Sequence, residues 1–205
     1  MIRNFVALAL GLLVLVSLAP ARATMDDDFF GFRRQSQPQQ SGRGYPSYGS
    51  GSDYYGGGSG SIQREQVSAP VAQPPGSIFI STSERRLYLI LGNGQALRYG
   101  IGVGRDGYRW TGTHRVTAKK EWPSWTPPSQ MRARRPDLPR FMAGGIQNPL
   151  GARAMYLGST LYRIHGSNEP ETIGHAVSSG CIRMTNEDVT DLYNRVSVGT
   201  MVVVR

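Results

Sequence analysis

The chain holds one cysteine, Cys181, and three histidines, two of which stand upstream of it in the stretch YRIHGSNEPETIGHAVSSGCIRM, from Tyr162 to Met184. A thiol becomes a nucleophile when a nearby base takes its proton and when N–H groups receive the charge that develops on the attacked carbonyl. Cys181 follows Ser179-Gly180 and precedes a short run that feeds a helix start, so it lies on a turn whose unpaired amides favour thiolate and can hold an oxyanion. His165 ends a strand-like run and Gly166 lets the chain turn away there, which makes His165 the favoured general base. His175 sits in the loop nearer the cysteine and ranks second. His114, inside another strand-like run, reads as an ordinary surface or core residue. The alternative for the lone thiol is a small buried hydrophobe with no chemical role.

Such a site needs a rigid frame, and the second half of the chain supplies one. SIFISTSERRLYLILGNGQALRYGIGVGRDG gives three β-type runs, at 78–81, 87–91 and 96–103, joined by turn residues Ser83-Glu84 and Gly92-Asn93-Gly94. Two tight turns between such runs predict an antiparallel meander. A fourth run covers 113–119; EWPSWTPPSQM, with its prolines and tryptophans, is predicted to be an irregular packed loop. ARAMYLG and TLYRIHG read as two further strands, the second ending on His165. Thr185 is predicted to cap a helix, with Met184 packing on Val189 and with Val189, Leu192, Tyr193 and Val196 forming one apolar stripe. GTMVVVR closes the chain as a last strand. The sum is one mainly-β domain, a sandwich or distorted barrel with at least one short helix after the cysteine, over 76–205.

The rest of the chain speaks of location. An apolar run from Phe5 to Leu18, behind Arg3 and ahead of Ala21-Arg22-Ala23, has the layout of a secretory signal, so 1–23 is expected to be removed and the protein exported to a periplasmic or cell-wall-facing compartment. That run is shorter than a spanning helix needs, so no stable membrane span is expected after cleavage. Residues 24–75 are rich in Gly, Ser, Gln, Pro and Tyr and read as a disordered linker. The net charge of +9 and the pI of about 10.1 favour polyanionic surfaces, with an acidic wall or envelope as the natural partner. No basic cluster alternates with aromatics, so no nucleic-acid partner is expected. No metal or other cofactor is expected, because His, Asp and Glu do not cluster at ligand spacing. A single thiol forms no internal disulfide.

The stretch IHGSNEPETIGHAVSSGCIRM resembles the signature of the L,D-transpeptidase (YkuD-type) catalytic domain, a His-Gly pair followed after a loop by Ser-x-Gly-Cys-hydrophobic-Arg. The resemblance spans roughly 77–205, including NPLGARAMYLG and the final VGTMVVV. It implies that Cys181 attacks a carbonyl of a peptidoglycan stem peptide, that His165 takes the thiol proton, and that the Gly166 carbonyl orients the imidazole. It also implies oxyanion amides from the turn of Ser179, Gly180 and Cys181. For Arg183 it implies a role in steadying the cysteine site or in binding a substrate carboxylate. The acyl acceptor is left open among another stem, an envelope-protein lysine, a free D-amino acid and water. Many members carry histidine directly before Gly-Cys where this chain has Ser179, so a second imidazole is missing unless His175 folds back. A non-catalytic wall-binding module is the remaining alternative, and the oligomeric state is not legible.

Overall fold

The computed structural model describes residues 62–205; the expected signal segment and most of the expected linker lie outside the described residues. The meander forms as its turns demand: β2 (Ile78–Ser81), β3 (Arg86–Gly92) and β4 (Gln95–Gly100) pair antiparallel in sequence order. The β3–β4 turn places Asn93 (φ 51) and Gly94 (φ 70) in the left-handed region, which suits the right-handed twist of a hairpin. The last strand, β11 (Met201–Val204), lies parallel to β2 and antiparallel to the start of β6 (Gly112–Glu121). From Val116 on, β6 pairs instead with β7 (Arg153–Leu157), with a register irregularity between Val116 and Ala118; β7 pairs with β8 (Arg163–His165), and β8 with the two-residue β10 (Ile182–Arg183).

One strand, β6, therefore joins the meander half of the sheet to the half that carries the IHG and GCIR segments. Both halves bury one face in a shared core of Ile78, Ile80, Leu87 and Val202 from the first and Val116, Met155, Ile164 and Ile182 from the second. Helix α2 (Asn186–Arg195) closes that core with Val189 and Leu192, Val196 follows at its C-cap, and Thr185 caps it by accepting the Asp188 N–H at 3.1 Å. The domain is mainly β and sandwich-like. Its nine-stranded sheet does not close into a barrel, because its two terminal strands are different neighbours' edges rather than partners of each other.

Three expectations change. The stretch 62–75, assigned to the linker by composition, carries β1 (Glu65–Ser68), which pairs antiparallel with β4, and Val67, Ala69 and Val71 pack on Phe79, Tyr88, Ile90 and Val203 on the outer face of the meander. Apolar residues at every second position build that contact, a signal diluted by the Gly/Ser-rich sequence before it. The third run does not continue to Val103: β4 ends at Gly100, and β5 (Val103–Gly104) pairs with β9 (Ala176–Ser178) in a separate two-stranded sheet. EWPSWTPPSQM is not wholly irregular, since helix α1 (Ser129–Arg134) starts directly after its prolines, with Pro128 at the N-cap.

Candidate active site

Strand register assembles the site. His165 is opposite Ala154 on one side and Arg183 on the other, and Arg163 is opposite Tyr156. Side chains alternate along each strand, so Ile164 and Ile182 enter the core while His165, Arg163 and Arg183 share the opposite face. Cys181 precedes β10 by one residue and, one step back along the same pairing, lies beside Arg163 on that face.

The buried end of this face is tightly built. His165 is almost fully enclosed, its Nδ1–H donates to the Gly166 carbonyl at 2.5 Å, and its Nε2 is buried with no hydrogen-bond partner among the described residues. Burial, and then the nearby Arg183 charge, push its pKa down from 6.5 to about 3, against the Gly166 carbonyl that favours the proton. The imidazole is therefore neutral, with its lone pair on Nε2. Gly166 is required for space rather than for an unusual φ: a Cβ there would run into Asn186 Oδ1 and lie 3.0 Å from the Ala152 nitrogen. Asn186 Oδ1 accepts the Ala152 N–H at 2.8 Å, so the start of α2 is tied to the chain entering β7 at the point where the histidine turns away.

The open end holds the thiol. Cys181 is half-buried, and its Sγ lies 3.8 Å from the Leu161 carbonyl. Burial pushes the thiol pKa up, while the Arg163 charge and hydrogen bonds from Arg163 pull it back. Thiol and imidazole are thus both neutral at rest, and proton transfer must accompany attack rather than precede it.

The turn before the cysteine is fixed on three sides. Ser178 Oγ accepts the Gly180 N–H at 3.1 Å and donates to the Cys181 carbonyl at 2.6 Å. Trp110 Nε1–H donates to the Gly180 carbonyl at 2.7 Å. Gly180 has φ 109, and a Cβ there would sit 2.6 Å from Tyr162 Cε1, so only glycine fits. The Trp110 ring in turn stacks on Tyr162 at 4.3 Å and 4°, and meets His114 edge-on at 5.3 Å. Of the three amides expected at the turn, that of Gly180 is thus already bonded to Ser178. The Cys181 amide, which points away from the Gly180 carbonyl across a trans peptide, and the Ser179 amide remain the candidates for oxyanion donors.

Arg183 is 2% exposed and donates from Nη1 to Glu169 Oε2 at 3.1 Å and to Thr172 Oγ1 at 3.4 Å. Of its two implied roles, this enclosure suits steadying the site. His175 is exposed at the entry to β9, and its backbone carbonyl accepts the Val103 N–H at 3.0 Å. Ser179 is half-buried on the turn itself. Sequence reading missed Arg163, Ser178, Trp110 and Tyr162. Arg163 was within reach, since alternation in YRIHG puts it on the face of His165; Trp110 was not, because its contact with Gly180 is long-range.

The sequence profile of the YkuD family, the L,D-transpeptidase catalytic domain, matches residues 75–204. The chain is 40% identical over 134 residues to the probable L,D-transpeptidase YbiS of Escherichia coli strain K12, an alignment covering 61% of this chain and 43% of that protein. It is 39% identical over 134 residues to the probable L,D-transpeptidase ErfK/SrfK of the same strain, covering 61% and 42%. The chain spans less than half the length of these two relatives. Its structure is similar to that of a cysteine-to-serine variant of an Enterococcus faecium L,D-transpeptidase, with a TM-score of 0.51 at 20% identity over 64% of this chain and 50% of the other, a likeness of fold alone. Among the described residues, no helix is long and apolar enough to cross a membrane.

Proposed function

Because the chain belongs to the YkuD family of L,D-transpeptidase catalytic domains, we propose that it is an exported cysteine acyltransferase that acts on peptidoglycan stem peptides. The observation that carries this reading is the buried Nε2 of His165, which has no hydrogen-bond partner among the described residues, on the strand face shared with the lone thiol. Cys181 Sγ attacks the carbonyl between the third stem residue and a terminal D-alanine, and His165 Nε2 takes the thiol proton. The new C–S bond forms as the amide C–N bond breaks, and the proton passes from His165 to the departing D-alanine amine. An acceptor amine then attacks the thioester, loses a proton to His165 and forms a new amide, and that proton returns to the thiol.

The developing oxyanion falls to the Cys181 amide, and the bond from Trp110 to the Gly180 carbonyl holds that peptide in orientation. Arg183, paired with Glu169, adds positive charge that keeps His165 neutral and ready as a base. The acceptor in this reading is an amine of another stem, of an envelope protein or of a free D-amino acid. The expected signal segment and the positive net charge suit a periplasmic, wall-associated enzyme.

Incubating the full chain with disaccharide-tetrapeptide and analysing products by mass tests the proposal. Dimers, or stems exchanged with an added D-amino acid, are the expected products. Tripeptides as the sole product would show a hydrolase instead, and that result, the absence of any product with the intact protein, or products persisting in Cys181→Ala would overturn the proposal.

A further inference from the structure

Two arginines flank the proposed catalytic pair, and only one has its charge answered by a carboxylate among the described residues. Arg183 is enclosed with Glu169. Arg163 is half-buried, its Nε is buried without a hydrogen-bond partner, and no carboxylate among the described residues pairs with it. Its guanidinium carbon lies 5.3 Å from the centre of the Tyr156 ring, its opposite residue on β7, and its other flank is Cys181. A cation partly withdrawn from water without a counter-charge is costly, and a planar guanidinium resting on an aromatic face is preset for two parallel bonds to a carboxylate.

The donor proposed above brings such a group. Its terminal D-residue ends in a free α-carboxylate only three bonds beyond the scissile carbonyl carbon, a span of at most about 4 Å. A carbonyl placed at Cys181 Sγ therefore carries its carboxylate into the neighbourhood that Arg163 occupies. That placement leaves the open side, where Leu161 is 73% exposed, for the bulky remainder of the stem.

We propose that Arg163 is a specificity-determining residue that binds the free α-carboxylate of the donor's terminal D-amino acid, so that the site selects stems ending one residue past the bond to be cut. This rests on the stem-peptide reading of the function. A residue added beyond the D-alanine, or a blocked carboxyl, removes the charge that Arg163 needs and leaves the guanidinium buried against a neutral group.

The test compares two synthetic stem tetrapeptides, one ending in D-alanine and one in D-alaninamide, in single-turnover acylation of Cys181 followed by intact mass. The wild-type chain is expected to prefer the acid by about 10- to 100-fold, the worth of a charge-assisted hydrogen bond. In Arg163→Gln the preference is expected to collapse to within about threefold. Arg163→Lys, which keeps charge and stem but not the fork, is expected to fall between and serves as the readout where Arg163→Gln is too unstable to assay. Any effect of Arg163 on the thiol itself slows both peptides alike and cancels in the ratio. Equal rates for acid and amide in the wild-type chain, or an undiminished preference in the variants, overturn the assignment of Arg163. No acylation by either peptide in the wild-type chain overturns the stem-peptide reading itself, and this subsite with it.

Discussion

The two halves of the nine-stranded sheet are built by different rules. The meander half has strands of four to seven residues whose pairing is broken only by one irregularity between Ile90 and Gly92, β2 fully buried, and a second apolar cluster on its outer face. The site half ends in β8, of three residues, and β10, of two. Ladder bonds that few hold a strand loosely. What fixes them is a set of single-purpose contacts: Asn186 against the Gly166 turn, Ser178 and Trp110 on the Gly180 peptide, Glu169 on Arg183. Stability is concentrated where hydrophobic area is large, and positional accuracy where polar groups are bonded to specific partners.

Substitutions can pull this contrast apart. The largest effect is expected from Cys181→Ala, which should abolish product formation while leaving thermal unfolding within about 1 kcal/mol, since little packing is lost at a half-buried turn. His165→Ala is expected to slow acylation by about 10² to 10⁴, and the exposed His175→Ala by less than about tenfold. In the wild-type chain the acid limb of acylation should lie well below the usual histidine range, because the imidazole takes a proton only near pH 3. The same shift has a stability counterpart. The unfolded chain protonates His165 near pH 6.5 and the folded chain does not, so stability should fall as pH drops from about 6.5 towards 3, and His165→Ala should flatten that slope in denaturant titrations.

In the meander half the signs reverse. Ile80→Ala is expected to cost about 2 to 5 kcal/mol of unfolding free energy while leaving the acylation rate per folded molecule unchanged. Trp110→Phe keeps the stack on Tyr162 but leaves the Gly180 carbonyl unpaired; roughly a fivefold slower acylation with little change in melting is expected. The smallest change belongs to Arg64→Gln, which breaks the partly exposed pairs to Asp188 and Asp191. It should cost under about 1 kcal/mol, and less at high salt. A site variant that melts far lower, or an Ile80 variant that loses rate without losing stability, breaks the division.

What was legible follows the same line. The meander, the Thr185 cap and the α2 stripe were read from the sequence because turn residues, caps and periodicity are local signals. So were the nucleophile and base candidates, since a strand end and a turn before a helix announce themselves. The partners that hold them were hidden: Trp110 reaches Gly180 across the fold, and Ser178 acts through two backbone bonds that no spacing rule encodes. The role of Gly166 was read as a change of direction and is instead the room that Asn186 needs. Averaging composition over 24–75 concealed the alternating Val67, Ala69 and Val71.

That short alternating segment bears on how the protein is handled in solution. The family match starts at residue 75, ten residues after β1 begins at Glu65. A chain trimmed to the match would turn β4 into a bare sheet edge with Gln95–Arg98 stripped of their partners, and would wet the face of Phe79, Tyr88 and Ile90. An open ladder beside a greasy face is a template for strand-to-strand self-association, so material cut at 75 is expected to aggregate where material starting at 62 stays dispersed.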